Sequence, residues 1–309
     1  MKKFTLISLM FVFAVGLISA NAAGTAGMQF LKIGADARGN SLSGAVIGSV
    51  SGADSIYWNP AGLNKLQGRE AVLTYNHWLA GMNYIYAGFG MPLLISKFGK
   101  IGGSVTFVSE GSLENFDAGT ELKGSYDLAV SGAYGMKLGK IELGGAVRFI
   151  TKSIFGYQST GAAVDIGGQM GFLNKQLQVG MVAKNLGFAT AVGDKPDGMP
   201  MMYQIGASYK YVQKDNSVTG MLSSDIMIDE LPYVNIGAEY GYREALYVRV
   251  GYRVETAGNS LGATKGLSVG LGGRVDNAIP IIKGLKADVT WLPMADLGNI
   301  VQMTLTVGF

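Results

Sequence analysis

The sequence predicts an all-β chain: a transmembrane antiparallel β-barrel of about fourteen strands, preceded by an export leader and a short N-terminal hatch. Three observations predict it. The N-terminus has the parts of a secretory signal, and most of the remaining chain alternates apolar with small or polar residues. The third is composition. Charged residues make up 15% of the chain, below the roughly 25% of ordinary soluble domains. Mean hydropathy is positive, yet beyond the leader no apolar run reaches the roughly 20 residues that a membrane helix needs.

The leader comes first. Lys2 and Lys3 form a positive start, Phe4 to Ile18 is apolar and uncharged, and Ala20-Asn21-Ala22 supplies the small residues that a signal peptidase reads. Residues 1–22 are therefore expected to be removed after Ala22. Loss of Lys2 and Lys3 takes 25 basic residues to 23 against 22 acidic ones, a net charge of +1. No basic field remains to attract nucleic acid.

Residues 23–70 lack strand alternation. Phe30, Leu31, Ile33 and Ala37 follow no period of two, and Ala45 to Val50 is a short run of small and apolar residues. Ser51-Gly52-Ala53-Asp54 then leads into Ile56-Tyr57-Trp58-Asn59-Pro60-Ala61-Gly62-Leu63. Short helices and turns, folded inside or below the barrel as a plug, are expected here.

From 71 to 309 the rhythm is uniform. In the last segment Val301, Met303, Leu305, Val307 and Phe309 share one face, and Gln302, Thr304, Thr306 and Gly308 the other. Likewise Leu246, Val248, Val250, Tyr252 and Val254 oppose Tyr247, Arg249, Gly251 and Arg253. Fourteen such segments are expected: 71–79, 83–91, 101–109, 124–137, 140–152, 160–172, 176–185, 202–212, 217–227, 233–242, 245–255, 264–275, 283–292 and 299–309. Short turns fall at Ala80-Gly81-Met82, Leu138-Gly139-Lys140 and Asn174-Lys175, and longer connections near 110–122 and 186–201. A soluble sandwich also alternates, but its outer face would be rich in Lys, Glu and Thr. Here Gly, Ser, Thr and Gln dominate the polar face, and Tyr203, Tyr209, Tyr211, Tyr240, Tyr242 and Trp291 stand at strand ends, as in the aromatic girdles of membrane barrels. The 47 glycines mark bends or close backbone approach.

The segment from Gly24 to Gly34, and Ala35 to Ser51 followed by Ala53 to Leu63, resembles the opening of PorV/PorQ family proteins. Its Asn59-Pro60-Ala61-Gly62 element is shared more widely with FadL-type fatty-acid transporters, where the resemblance implies a hatch plugging a fourteen-stranded barrel. The PorV-like branch implies a partner or shuttle role in type IX-like secretion or surface display, with other secretion or surface proteins as partners. The FadL-like branch implies transport of a hydrophobic ligand, taken through a lateral opening in the wall. A structural barrel or general porin is the third reading. The Gly24–Gly34 opening favours the first.

Nothing in the sequence suggests an enzyme or a cofactor. The one histidine, His77, sits beside Trp78 at a strand end, where an interfacial polar residue is expected. Gly270-Leu271-Gly272-Gly273 lies within a strand and precedes no helix, so it cannot cradle a phosphate. Zinc and calcium spacings are missing, and so is cysteine. The candidate site residues are the hatch element Asn59, Pro60, Ala61 and Gly62, and the inward charges Arg148, Arg249, Arg253, Arg274, Lys286 and Asp288, with Lys184 and Glu239 on the same face. These charges are expected to pair with one another, to tether the hatch, or, for Arg249 and Arg253, to meet an anionic head group or partner. Outer-membrane lipid is the expected surrounding.

Overall fold

The computed structural model describes residues 26–93, 99–109, 114–115, 120–121, 124–154, 157–190, 198–255, 266–279 and 281–309. The expected leader and its cleavage site lie outside the described residues, as do residues 191–197 of the expected 186–201 connection with its turn-formers Gly193, Asp194, Pro196 and Asp197.

Fourteen strands close into an antiparallel barrel. They are β1 (Glu70–His77), β2 (Asn83–Pro92), β3 (Lys100–Ser109), β4 (Tyr126–Leu138), β5 (Ile141–Ile154), β6 (Tyr157–Phe172) and β7 (Leu177–Ala189). Then follow β8 (Met202–Gln213), β9 (Asn216–Met227), β10 (Tyr233–Tyr242), β11 (Leu246–Glu255), β12 (Leu267–Ile279), β13 (Ile282–Pro293) and β14 (Asn299–Gly308). Each strand pairs with its neighbour in sequence, and β1 closes on β14 from Glu70↔Gly308 to His77↔Val301. Closure satisfies the backbone without an open edge, which hydrocarbon demands. A two-residue ladder, Glu114–Asn115 with Thr120–Glu121, lies in the connection from β3 to β4.

The faces sort as alternation requires. Leu73, Phe149, Met181, Val248, Leu271, Met303 and Leu305 are exposed on the outer wall. Tyr203, Trp291 and Tyr75 lie near one rim, and Tyr209, Tyr211, Tyr240 and Tyr242 near the other, so the apolar band has an aromatic girdle at each end. The rims differ. At one, tight turns join the strands, such as Gly139–Lys140 and Lys214–Asp215, while the other carries the long connections after β3, β7 and β11. Bacterial barrels keep short turns on the periplasmic side and long loops outside, which places Glu70 and Phe309 at the periplasmic rim.

All fourteen expected segments are strands, with shifted ends. β7 runs on to Ala189 instead of stopping at 185, and β6 begins at Tyr157 rather than 160. The register of β6 on β7 shifts between Val164 and Ile166, and Asn185 has φ 58°. Such a bulge swaps the two faces, so the period of two breaks although the strand continues.

Residues 26–66 fill the lumen. A 3-10 turn (Gln29–Lys32), helices α1 (Ala37–Ser41) and α2 (Ser55–Trp58), and a second 3-10 stretch (Pro60–Lys65) form the hatch. Met28, Leu42, Ile47, Val50, Ile56 and Leu63 are buried against the wall. Elements of four to six residues cannot hold themselves together; wall packing and caps do it. Asp36 caps α1 by accepting from the Gly39 amide at 2.9 Å, and its other oxygen accepts from Trp58 Nε1 at 2.5 Å. One carboxylate thus ties both helices.

Candidate functional site

The wall is shaped to receive the hatch. A Cβ built on Gly144 would lie 2.2 Å from the Pro60 carbonyl carbon, one on Gly180 2.3 Å from the Ile47 oxygen, and one on Gly251 2.5 Å from the Leu42 carbonyl carbon. These inward glycines let two backbones touch where any side chain would hold them apart. Against this bed Asn59 is fully buried. Its amide nitrogen donates to the Ile47, Gly168 and Met181 carbonyls at 3.2–3.3 Å, and its oxygen accepts from the Ala61 amide. Pro60 opens the following 3-10 stretch, and Ala61 and Gly62 are buried in it. The element joins the hatch to β6 and β7.

Charges pin the opposite side. Arg38 of α1 donates to both oxygens of Glu239 on β10, at 3.0 and 3.3 Å. Arg249 on β11 donates to the same Glu239 at 2.6 Å and to Asp288 on β13 at 2.6 Å. Arg249 is therefore held between two carboxylates. Arg148 donates to Asp165, Ser131 and Asn185 within the wall. Lys286 lies 3.6 Å from Glu70, and Arg274 donates to Asp276 of its own strand. Apart from the Arg148 set, these charges border a cavity of about 200 Å³ on the periplasmic side of the hatch, lined by Asp36, Arg38, Glu70, Glu239, Arg249, Arg274, Lys286 and Asp288.

A larger cavity of about 470 Å³ opens on the loop side. Phe30, Ile33, Tyr57 and Trp58 of the hatch floor it, and Trp78, Met82, Met202, Met227, Tyr233 and Leu292 contribute from the wall and rim. Its size falls in the range of about 300–1,000 Å³ usual for small-molecule pockets. Several methionines make an apolar lining that adapts to shape. Two cations enter over aromatic faces: Lys184 Nζ sits 3.7 Å from the Tyr57 ring centre, and the Arg253 guanidinium 4.2 Å from that of Tyr233. Of the expected inward charges, Arg253 and Lys184 line this chamber, and Arg249 and Asp288 line the periplasmic one. Tyr57 and Trp58 were signalled only by their place before Asn59-Pro60. Asp225, Met202 and Met227 carried no signal beyond alternation.

The wall ladder is interrupted beside the chamber. Among the described residues β8 pairs with β7 up to Met202↔Lys184, while β7 continues to Ala189 against β6. Asn185 Nδ2 spans to the Pro200 carbonyl at 3.0 Å.

The hatch is also clasped at the outer rim. Gly27 donates to Gly198, Gln29 donates to Asp229, and Lys32 reaches Asp229 at 2.7 Å and Glu230 at 2.6 Å. Burial works to raise the Asp229 carboxyl, but the hydrogen bonds from Lys32 and Gln29 outweigh it and hold it below its ordinary value. A depressed carboxyl adds stability above its unfolded pKa of about 3.9, and that stability is lost as pH falls through the folded value. Hydrogen-exchange protection of 27–32, corrected for intrinsic rates, is expected to stay flat at neutral pH and fall below pH ~4. Asp229→Asn is expected to reproduce the loosened clasp at neutral pH.

No protein-family profile and no curated protein matches the sequence. Solved structures do match. A CymD monoaromatic hydrocarbon channel aligns over 90% of this chain and 98% of its own, at TM-score 0.57 and 13% identity. The P. putida toluene transporter TodX aligns over 94% and 99%, at 0.57 and 11%. A Pseudomonas aeruginosa FadL homologue aligns over 89% and 98%, at 0.56 and 10%. The first of these proteins is a channel and the second a transporter. The chain shares the closed barrel fold of these structures, and with its apolar outer band it is a barrel of the outer membrane.

Proposed function

We propose that the barrel passes a small hydrophobic molecule across the outer membrane, captured from outside in the chamber above the hatch. The observation that carries this is the chamber itself: about 470 Å³ where aromatic and methionine side chains alternate with polar and charged ones, floored by Tyr57 and Trp58. The break between β7 and β8 lies at the level of Lys184 and Met202, both of which line the chamber. A molecule leaving there enters the bilayer sideways and never crosses the charged lower cavity. A general porin, by contrast, needs a water-filled lumen, and here the hatch fills it.

The PorV-like reading drawn from Gly24–Gly34 finds no support among the structural neighbours. Mass spectrometry of the protein purified gently from its native membrane separates the two. A bound lipid-like or aromatic molecule, with no second protein, is the result that supports the conduit. Recovery of another protein in near-equal amount, with an empty chamber, would instead favour secretion or surface display.

A further inference from the structure

The polar groups of the chamber specify more than an apolar ligand. Lys184 is 1% exposed. Its ammonium has ring contacts with Tyr57 and Trp58, and among the described residues it has no ion pair or hydrogen bond. Opposite it in charge stands Asp225 on β9, also buried. One Asp225 oxygen accepts from Asn235 Nδ2 at 3.0 Å, and the other, Oδ1, has no partner. Gln204 is the register partner of Asp225 on β8, and its Oε1 is likewise without a partner. Lys184, Gln204 and Asp225 all line the same cavity. Beside the Arg253 guanidinium, which lies over the Tyr233 ring, it therefore holds the idle Lys184 ammonium and two idle acceptors among the described residues, and buried groups of this kind are normally paired.

We propose that the chamber selects a neutral ligand whose apolar body ends in a hydroxyl, an aromatic alcohol or phenol. The hydroxyl oxygen accepts from Lys184, and its hydrogen is donated to Asp225 or Gln204. This rests on the conduit reading and narrows it. A hydroxyl is both donor and acceptor on one atom. A carboxylate satisfies Lys184 but meets the free oxygens of Asp225 and Gln204. An ammonium satisfies those oxygens but faces Lys184 and Arg253. A plain hydrocarbon leaves all three groups idle.

Calorimetric titration of the full-length barrel in detergent with toluene, benzyl alcohol and benzoate tests this, because the three share one ring. Benzyl alcohol is expected to bind about tenfold tighter than either of the others, the size of one buried hydrogen bond. In Lys184→Met that preference is expected to shrink to about threefold or less. Gln204→Leu, which removes no charge, is expected to narrow it in the same direction and serves if the lysine variant does not assemble. Toluene binding as tightly as benzyl alcohol overturns the inference and leaves the conduit standing. Tighter benzoate makes the chamber an anion site and also overturns it. No binding of any of the three overturns the conduit reading as well.

Discussion

Replacing Gly144 with alanine is expected to lift the Asn59–Gly62 turn off the wall. The added carbon would sit 2.2 Å from the Pro60 carbonyl carbon and 2.3 Å from the Ala61 nitrogen. Both are backbone atoms, so no rotamer change relieves the clash. Overpacking costs about 1–3 kcal/mol in ordinary cores, and a backbone-to-backbone contact belongs at the upper end. The displaced turn also strands the Asn59 amide, which has four bonds to lose. Trypsin cleavage at Lys65, slow in the parent, is expected to become fast, and the unfolding midpoint to fall. Gly132→Ala is the control. It adds the same methyl on the outer wall, where nothing lies within 4 Å, and should shift stability by no more than about 0.5 kcal/mol. Equal effects from the two changes would mean that the hatch does not rest on the wall at Gly144.

Loss of Arg249 is the second large effect. It is 3% exposed and is the shared partner of Glu239 and Asp288, themselves nearly buried. Removing one member of such a set leaves uncompensated charge, which costs about 3–5 kcal/mol. Arg249→Met is expected in that range by thermal or denaturant unfolding of the folded barrel. Arg38→Met is expected to cost far less, because Arg38 is more exposed and Glu239 keeps Arg249. Its signature is local: faster exchange across α1 with the barrel midpoint nearly unchanged. If Arg249→Met behaved like Arg38→Met, the charges would be independent surface pairs rather than a chain that fixes the plug.

The barrel was legible because alternation is a local signal. Leu246 to Val254 sort on their faces without knowledge of any neighbour. The hatch was legible as an absence of alternation plus the Asn59-Pro60-Ala61-Gly62 turn, but its bed was not. Gly144, Gly180 and Gly251 all fall on the polar face of their strands, which reads as ordinary lumen. That each faces hatch backbone depends on bringing together residues far apart in the sequence, as Gly144 and Pro60 or Gly251 and Leu42 are. Arg249 was legible as inward, whereas its pairing with two carboxylates from other strands was not. The chamber was least legible. Tyr57, Lys184, Asp225 and Tyr233 come from four separate elements and share no spacing. The bulge at Asn185 hid the end of β7 for the same reason: it depends on Asp165, whose carboxylate accepts from the Asn185 amide at 2.7 Å.

The most direct test of the account is anomalous diffraction from crystals of the barrel soaked in bromobenzene. A bromine peak inside the loop-side chamber, above Tyr57 and Trp58 and near Met202, is the result predicted. Bromine confined to the lipid-facing wall, with the chamber empty at full soak, would contradict the claim that this cavity is where the transported molecule sits.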